Sequence, residues 1–369
     1  MFYIWQHVTQ ILSAYKGELP FHLYSKKYCS ANPKLGSRDR KMIAEICYAY
    51  FRTSKGFSAG TSDFKSLAMS CLNSVHATPH AKLFADVLPL NQEIEIEKLF
   101  PFELKLSEGI SKQAWLQSML VQPSLFIRVR KQKAEVLSRL KASDIEWQEV
   151  APDCLKLPNS AKIDALLPQD WYVIQDASSQ ATGSFFTPKA GEKWLDTCSG
   201  AGGKSLLLLD KGVKIDLTVA DIRDTILHNL KQRFSQYNYK VSRAVCIDVS
   251  KGINVLSQSG QPCYDQIICD VPCSGSGTWS RTPEQLYFFE SKQLEKFPPL
   301  QAAIAKNATK LLKKGGKLYY ITCSVFEAEN ECVVKELLQD FSLECNSAQI
   351  INGISQNADS MFIAVLEKK

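Results

Sequence analysis

The sequence predicts an α/β protein whose C-terminal half is a doubly wound, mostly parallel sheet. Three observations predict it: short apolar runs alternate with helical patterns from Trp171 onward, a glycine-rich turn follows the first run, and acids or a cysteine recur where the runs end. Alternation of this kind builds βαβ units, and βαβ units build parallel sheets.

Taken in order, the elements begin with helices. Through 1–110, Met42, Ile43, Ile46, Cys47, Tyr50 and Phe51 recur at three- and four-residue steps, with Ser37 placed as an N-cap. Pro20, Pro33, Gly36, Gly56 and Pro79 cut this stretch into short helices. A small α+β unit is expected over 111–170. Leu125, Ile127 and Val129 alternate there with Phe126, Arg128 and Arg130, a strand with one basic face; a helix through Ala134, Val136, Leu137 and Leu140 follows, then strands at 146–150 and 155–157. The third part, 171–369, carries strands at 193–196, 216–220, 244–247, 266–269 and 318–321, helices at 222–234 and 301–313, and a last strand at 361–366.

Composition removes several classes. With 369 residues, 45% hydrophobic and 22% charged, the chain is long enough for two or three domains and too apolar for wholesale disorder. Its longest aliphatic stretch, Leu206 to Leu209, cannot span a bilayer, and MFYIWQHVTQ lacks the basic start of a secretory signal, so a cytoplasmic protein free of membrane is expected. The twelve cysteines, spread from Cys29 to Cys345 without a C-x-x-C pair, argue against a zinc site or a disulfide framework. His76 and His80 have the spacing of a helical metal pair, but Pro79 interrupts the helix between them, and no metal is expected. The net charge is +6, and residues 1–60 hold nine basic residues, Arg52 among them, against Glu18, Asp39 and Glu45. A positive surface there would suit a polyanion.

The chemistry collects at the strand ends, where open α/β sheets bind ligands. Asp196, Asp221, Asp248, Asp270 and Cys323 each stand at or just past such an end. The first turn reads L-D-T-C-S-G-A-G-G-K-S from Leu195 to Ser205, and Gly200, Gly202 and Gly203 allow a tight turn with close approach to a ligand. A phosphate loop would need glycine at Cys198 and a dinucleotide loop would need glycine at Ser205, so both readings fail by one residue. Asp221, 25 residues beyond Asp196, is placed to bind ribose hydroxyls. An adenosyl ligand without a triphosphate fits this pattern.

Two further motifs sharpen the reading: D-V-P-C-S-G from Asp270 to Gly275, and T-C-S from Thr322 to Ser324. With D-T-C-S-G-A-G-G-K they resemble the Sun (Fmu), or NOL-NOP-Sun, family of S-adenosylmethionine-dependent RNA cytosine-5 methyltransferases, whose usual forms are D-A-C-A-A-P-G-G-K, D-A-P-C-S-G and T-C-S. The likeness continues through Arg281, Pro283 and 359–366, and the stretch 20–52 is similar to the NusB-like extension of bacterial ribosomal small-subunit members. Ser199-Gly200-Ala201, Val271, Ser280 and Ser360 depart from the usual residues without touching either cysteine or the acids.

The resemblance implies a Rossmann-like methyltransferase domain at 171–369, behind an abbreviated NusB-like, RNA-binding helical domain and a small RNA-binding α+β unit. It implies S-adenosylmethionine held by Cys198, Ser199, Gly200, Ala201, Gly202, Gly203, Lys204, Asp221, Asp248 and Asp270. It makes Cys323 the nucleophile toward cytosine carbon 6, gives Cys273 the release step, and leaves Asp270 to bond the base. Spacing alone does not choose between the cysteines, since DNA cytosine methyltransferases attack with a Pro-Cys pair. Carbon 6 is hidden in a duplex, so the target is a single-stranded or flipped base. Arg128, Arg130, Lys131 and Lys133 would then track phosphates; the alternative is a strand edge protected by charge. The partner expected is RNA, ribosomal in the first instance, bound by a monomer. Transfer RNA is an alternative substrate and an inactive RNA-binding assembly factor an alternative role, the second disfavoured by the intact Cys273, Cys323 and Lys204. An amino-methyltransferase is disfavoured because Cys273 stands where N/D-P-P-Y/F needs an aromatic residue.

Overall fold

The computed structural model describes residues 2–58, 63–75, 84, 87–257 and 261–369; His76 and His80 lie outside them. The chain gathers into two compact units. One contains the chain up to Leu104 with Ile110–Pro123 and Gly275–Ser291; the other contains Lys105–Gly109, Ser124–Ser274 and Lys292–Lys369.

The first unit is helical. Helices Phe2–Ala14, Phe21–Ala31, Ser37–Thr53 and Phe64–Ser74 enclose a core that includes Ile4, Val8, Ile11, Phe21, Ile43, Ile46 and Cys47. Ser37 is the first helical residue and not the cap. Extended Gly36 caps the helix without a side-chain hydrogen bond to the first turn, and its own N–H donates to Asp39 Oδ2 at 3.0 Å, which anchors the helix start from the third position. Arg52 is withdrawn from the expected basic surface: it is buried and donates from Nη1 to the Met119 carbonyl at 2.6 Å.

The second unit holds both sheets seen among the described residues. Strands β1 (Leu125–Val129), β2 (Gln148–Ala151), β3 (Cys154–Leu157) and β4 (Tyr172–Ile174) form an antiparallel sheet in the order β2-β3-β1-β4. Its core is Ile127, Val129, Leu155 and Leu157 with Val136 and Leu140 from the helix Lys133–Ala142. Because β4 lies past 170, the expected boundary there falls inside this sheet, and the sheet shares a unit with the larger one.

The larger sheet comprises β5 (Lys193–Asp196), β6 (Asp216–Asp221), β7 (Arg243–Cys246), β8 (Tyr264–Asp270), β9 (Leu312–Thr322), β10 (Leu343–Ile351) and β11 (Met361–Lys368), in the order β10-β11-β9-β8-β5-β6-β7. Strands β9 through β7 run parallel, while β11 pairs antiparallel with β9 and β10. Alternate residues face opposite cores. Leu195, Ala220, Ile267, Leu318 and Tyr320 pack on one side, and Trp194, Val219, Ile268, Tyr319 and Ile321 on the other. Burial on both faces is why these strands read as short apolar runs. The chain builds outward from β5 through β6 to β7, then returns to the other side of β5 with β8 and β9. That reversal opens a crevice at the carboxyl ends of β5, β6 and β8, the place where such sheets take ligands. Among the described residues no helix is long and apolar enough to cross a membrane.

Candidate active site

The glycine-rich turn leaves β5 at Asp196 and enters the helix Gly203–Leu209. Gly200 (φ +50°) and Gly202 (φ +81°) take left-handed backbone, and a Cβ on Gly202 would lie 2.5 Å from the Phe234 ring. Asp196 ties the two ends of the turn together, its Oδ2 accepting from the Ser205 hydroxyl at 2.6 Å. Burial raises the Asp196 carboxyl to about 7, against the hydrogen bond from Ser205 and a weaker one from the Cys198 N–H. This acid lies beneath the turn and outside the cavity that the other acids line.

A cavity of about 610 Å³ opens beside the turn, within the usual range for a small-molecule site. Thr197, Cys198, Asp221, Asp248 and Asp270 line it together with apolar Ile222, Ile247, Val249, Val271, Leu300 and Ile304. Burial would raise the Asp221 carboxyl, but hydrogen bonds from Arg223 and from the Gly200 N–H outweigh it and hold the group below the usual carboxylate range. Oδ1 accepts from the Arg223 N–H and Nε, both at 3.0 Å, and Oδ2 from the Gly200 N–H at 3.0 Å and Arg223 Nη2 at 3.2 Å. The Ser250 hydroxyl holds Asp248 low. Burial pushes the Cys198 thiol well up, so it serves as a neutral wall. Lys204 is buried and turned toward Asp270: its Nζ stands 3.2 Å from Asp270 Oδ2 and donates to the Ser179 hydroxyl at 2.9 Å.

Two loops bring the cysteines together. Cys273, past the end of β8, and Cys323, past the end of β9, are both partly exposed, with sulfurs 3.3 Å apart. Their backbones are pinned from behind. Gln301 Nε2 donates to the Pro272 carbonyl at 3.0 Å, Asn330 Nδ2 donates to the Ser324 carbonyl at 2.9 Å, and the Ser324 N–H donates to Thr322 Oγ1 at 3.2 Å. Sequence reasoning found both cysteines but passed over Glu329, Asn330 and Gln301 behind them. The signal available was T-C-S-V-F-E-A-E-N-E, in which Glu329 cannot be told from Glu327 and Glu331 without the fold.

The expected basic face of β1 is built differently. Arg128 and Arg130 are turned inward and share Asp210: Arg130 Nη2 stands 2.7 Å from Asp210 Oδ1, and Arg128 Nη1 pairs with Oδ2. Arg130 also stacks on Tyr237, 4.5 Å from the ring centroid. Lys131 pairs with Asp170 and Lys133 with Glu149 and Asp153, these lysines remaining partly exposed. The two arginines therefore tie the small sheet to the C-terminal end of the helix Gly203–Leu209 and do not form an open phosphate track. A short strand with apolar neighbours leaves their charge nowhere to go but onto a buried acid.

Residues 184–366 match the family described as 16S rRNA methyltransferase RsmB/F. This stretch, 183 of the 369 residues, is similar in sequence to that family's methyltransferase domain. The family's methyl donor is S-adenosylmethionine. The chain is 30% identical over 190 residues to a ribosomal RNA small subunit methyltransferase B of Salmonella paratyphi A, a match covering 51% of this chain and 43% of that protein. It is 29% identical over 228 residues to the protein of the same description from Citrobacter koseri, covering 59% and 52% respectively. The chain spans about half the length of these curated relatives. In fold it is similar to the crystal structure of a methyltransferase homolog protein from Pyrococcus horikoshii, with a TM-score of 0.59 at 20% identity over 69% of this chain and 90% of that one.

Proposed function

We propose that this protein transfers a methyl group from S-adenosylmethionine to carbon 5 of a cytosine in ribosomal RNA, through a covalent adduct on Cys323. The observation that carries the reading is the pair of sulfurs 3.3 Å apart on loops that follow β8 and β9, with Asp270, at the end of β8, also lining the acid-rimmed cavity.

The cavity fits the donor. Ile222 is 60% and Leu300 36% exposed, and with Val249 and Ile247 they offer walls for a flat base. Asp221 would take the ribose hydroxyls once the Arg223 side chain, itself 60% exposed, swings into solvent and frees two of its acceptor positions. The open space at Gly200 and Gly203 leaves the backbone approachable. Bound there, S-adenosylmethionine supplies an electrophilic methyl group.

The rest falls to this chain's side chains. Cytosine carbon 5 is a poor nucleophile, and addition of the Cys323 sulfur to carbon 6 turns the ring into an enamine that attacks through carbon 5. As the sulfur adds, the proton given up by the Cys323 thiol goes to nitrogen 3, and Asp270, fixed by Lys204, would accept from the exocyclic amine and from the protonated nitrogen 3, balancing the charge of the adduct. Cys273 would then remove the carbon 5 proton, and the Cys323–carbon 6 bond would break to return the aromatic base and the free thiol. The short distance between the sulfurs suits this division, because carbons 5 and 6 are bonded neighbours.

The RNA class rests on the family and on the curated relatives, whose names specify the small ribosomal subunit. Lys131 and Lys133, partly exposed beside the small sheet, are the proposed phosphate contacts. Bisulfite sequencing of ribosomal and transfer RNA from cells with and without the gene tests the reading. A single ribosomal cytosine losing its methyl group is the expected result; loss confined to transfer RNA, or no loss at all, would contradict it.

A further inference from the structure

Glu329 is fully buried and stands outside the lining of the cavity described above. A buried carboxylate is costly unless its lone pairs are filled. Here all four acceptor positions are taken, and three of the four donors belong to residues next to a cysteine. Oε1 accepts from the Ser274 N–H at 2.8 Å and from Gln301 Nε2 at 3.0 Å, while Oε2 accepts from the hydroxyls of both Ser274 and Ser324. Ser274 follows Cys273 and Ser324 follows Cys323. The two hydroxyls stand 3.3 Å apart, and so do the two sulfurs. Glu329 is itself held through its backbone, its carbonyl accepting from the Tyr320 hydroxyl at 2.6 Å. Its neighbour Asn330 accepts from the Thr322 hydroxyl and donates to the Ser107 hydroxyl at 2.8 Å.

We propose that Glu329 is a positioning residue that clamps the Cys273 and Cys323 loops to one another through the paired hydroxyls of Ser274 and Ser324. The inference rests on the roles given to the two cysteines above and adds what holds them in register. The loops come from different strands, and the β8–β9 ladder ends at Asp270 and Ile321, short of both thiols. The Val271 N–H still donates to the Ile321 carbonyl at 3.0 Å, and past that bond the Glu329 carboxylate links the two loops through their serines. An apolar residue would fill the same volume without the desolvation cost, but it would take the carboxylate acceptor away from two hydroxyls and an N–H. Only a group with two acceptor oxygens can hold both hydroxyls while also holding the Ser274 N–H.

Glu329→Gln keeps the volume and replaces one acceptor oxygen with a donor, so it breaks half of the clamp. A thiol pair out of register by about 1 Å predicts a kcat roughly 100-fold lower. The KM for RNA and the affinity for S-adenosylmethionine stay within about twofold, because no clamp residue touches either ligand in the proposed arrangement. A readout independent of methylation is bridging by phenylarsine oxide, which forms two As–S bonds as its oxygen leaves as water with the two thiol protons. Peptide mapping should show Cys273 and Cys323 bridged in the wild-type protein. Bridging should be about tenfold slower in Glu329→Gln, while single alkylation of either cysteine by iodoacetamide changes little. The double variant Ser274→Ala/Ser324→Ala keeps the Glu329 bonds to the Ser274 N–H and to Gln301, and serves if Glu329→Gln does not fold. Wild-type bridging rates in a folded variant would overturn the clamp, whatever its methylation activity. A wild-type protein that bridges but methylates no cytosine would instead overturn the proposed function and leave the clamp standing.

Discussion

Asp196→Asn isolates one buried charge whose cost can be worked from the structure. The Asp196 carboxyl is buried at the end of β5, its Oδ2 accepting from the Ser205 hydroxyl and the Cys198 N–H also favouring its charged form. Burial raises it from 3.8 to about 7, with Asp270 adding to the rise and Lys204 opposing it. Between those values the unfolded chain has released the proton and the folded protein has kept it. The unfolded state then binds fewer protons, so stability falls as pH rises through this window and levels off above pH 7. About three pKa units correspond to roughly 4 kcal/mol in total, of which about 2–3 kcal/mol falls between pH 5 and pH 8. Asparagine has the same shape, still accepts from Ser205, and cannot ionise. The variant should therefore gain on the wild type by about 2–3 kcal/mol as pH goes from 5 to 8. Urea unfolding of both proteins at pH 5, 6, 7 and 8 measures this, and taking the difference at each pH cancels the other titrating groups. A difference that stays flat within about 1 kcal/mol would show that Asp196 ionises freely in the folded protein and would refute the reasoning.

The remaining predictions concern the ion pairs and the donor pocket. Arg130→Ala should cost about 3–5 kcal/mol in urea unfolding, because it strips most of the hydrogen bonds from the buried Asp210. Lys131→Ala should cost less than about 1 kcal/mol, as exposed pairs do, yet lower the salt slope of RNA binding by about one; an unchanged slope would return this lysine to a purely structural pairing. Asp221→Ala should weaken S-adenosylmethionine binding by about 1–3 kcal/mol in calorimetry, and unchanged affinity in a folded variant would remove Asp221 from the ribose site.

What was legible in the sequence follows from how each element is buried. Strands β5, β6, β8 and β9 are covered on both faces, so their apolar runs and the acids at their ends stand out from the chain. Strand β10 was missed because it lies at the sheet edge, largely exposed, and L-E-C-N-S-A-Q-I-I carries no sustained alternation. The helix expected to reach residue 313 stops at Leu311, where the chain passes directly into β9 and turns through Gly315 at φ +76°. In the site, the glycine-rich turn and both cysteines were readable because their residue types are unusual at strand ends. The inward turn of Arg128 and Arg130 was not, because their partner Asp210 is 80 residues away in sequence and nothing local announces the pairing. Glu329 was hidden for the same reason, since its meaning depends on Ser274, 55 residues upstream.

The central claim, that Cys323 attacks and Cys273 releases, is tested most directly by a denaturing gel of each cysteine variant after incubation with substrate RNA and S-adenosylmethionine. Cys323→Ala should form no covalent RNA adduct and no 5-methylcytosine, since nothing adds to carbon 6. Cys273→Ala should add, methylate once and then stall, so that a protein–RNA adduct accumulates. RNA carrying 5-fluorocytosine, which blocks the final elimination, should trap the wild type and Cys273→Ala alike. A stable adduct with Cys323→Ala and none with Cys273→Ala would reverse the roles, and no adduct with any of the three proteins on the fluorinated RNA would contradict covalent catalysis altogether.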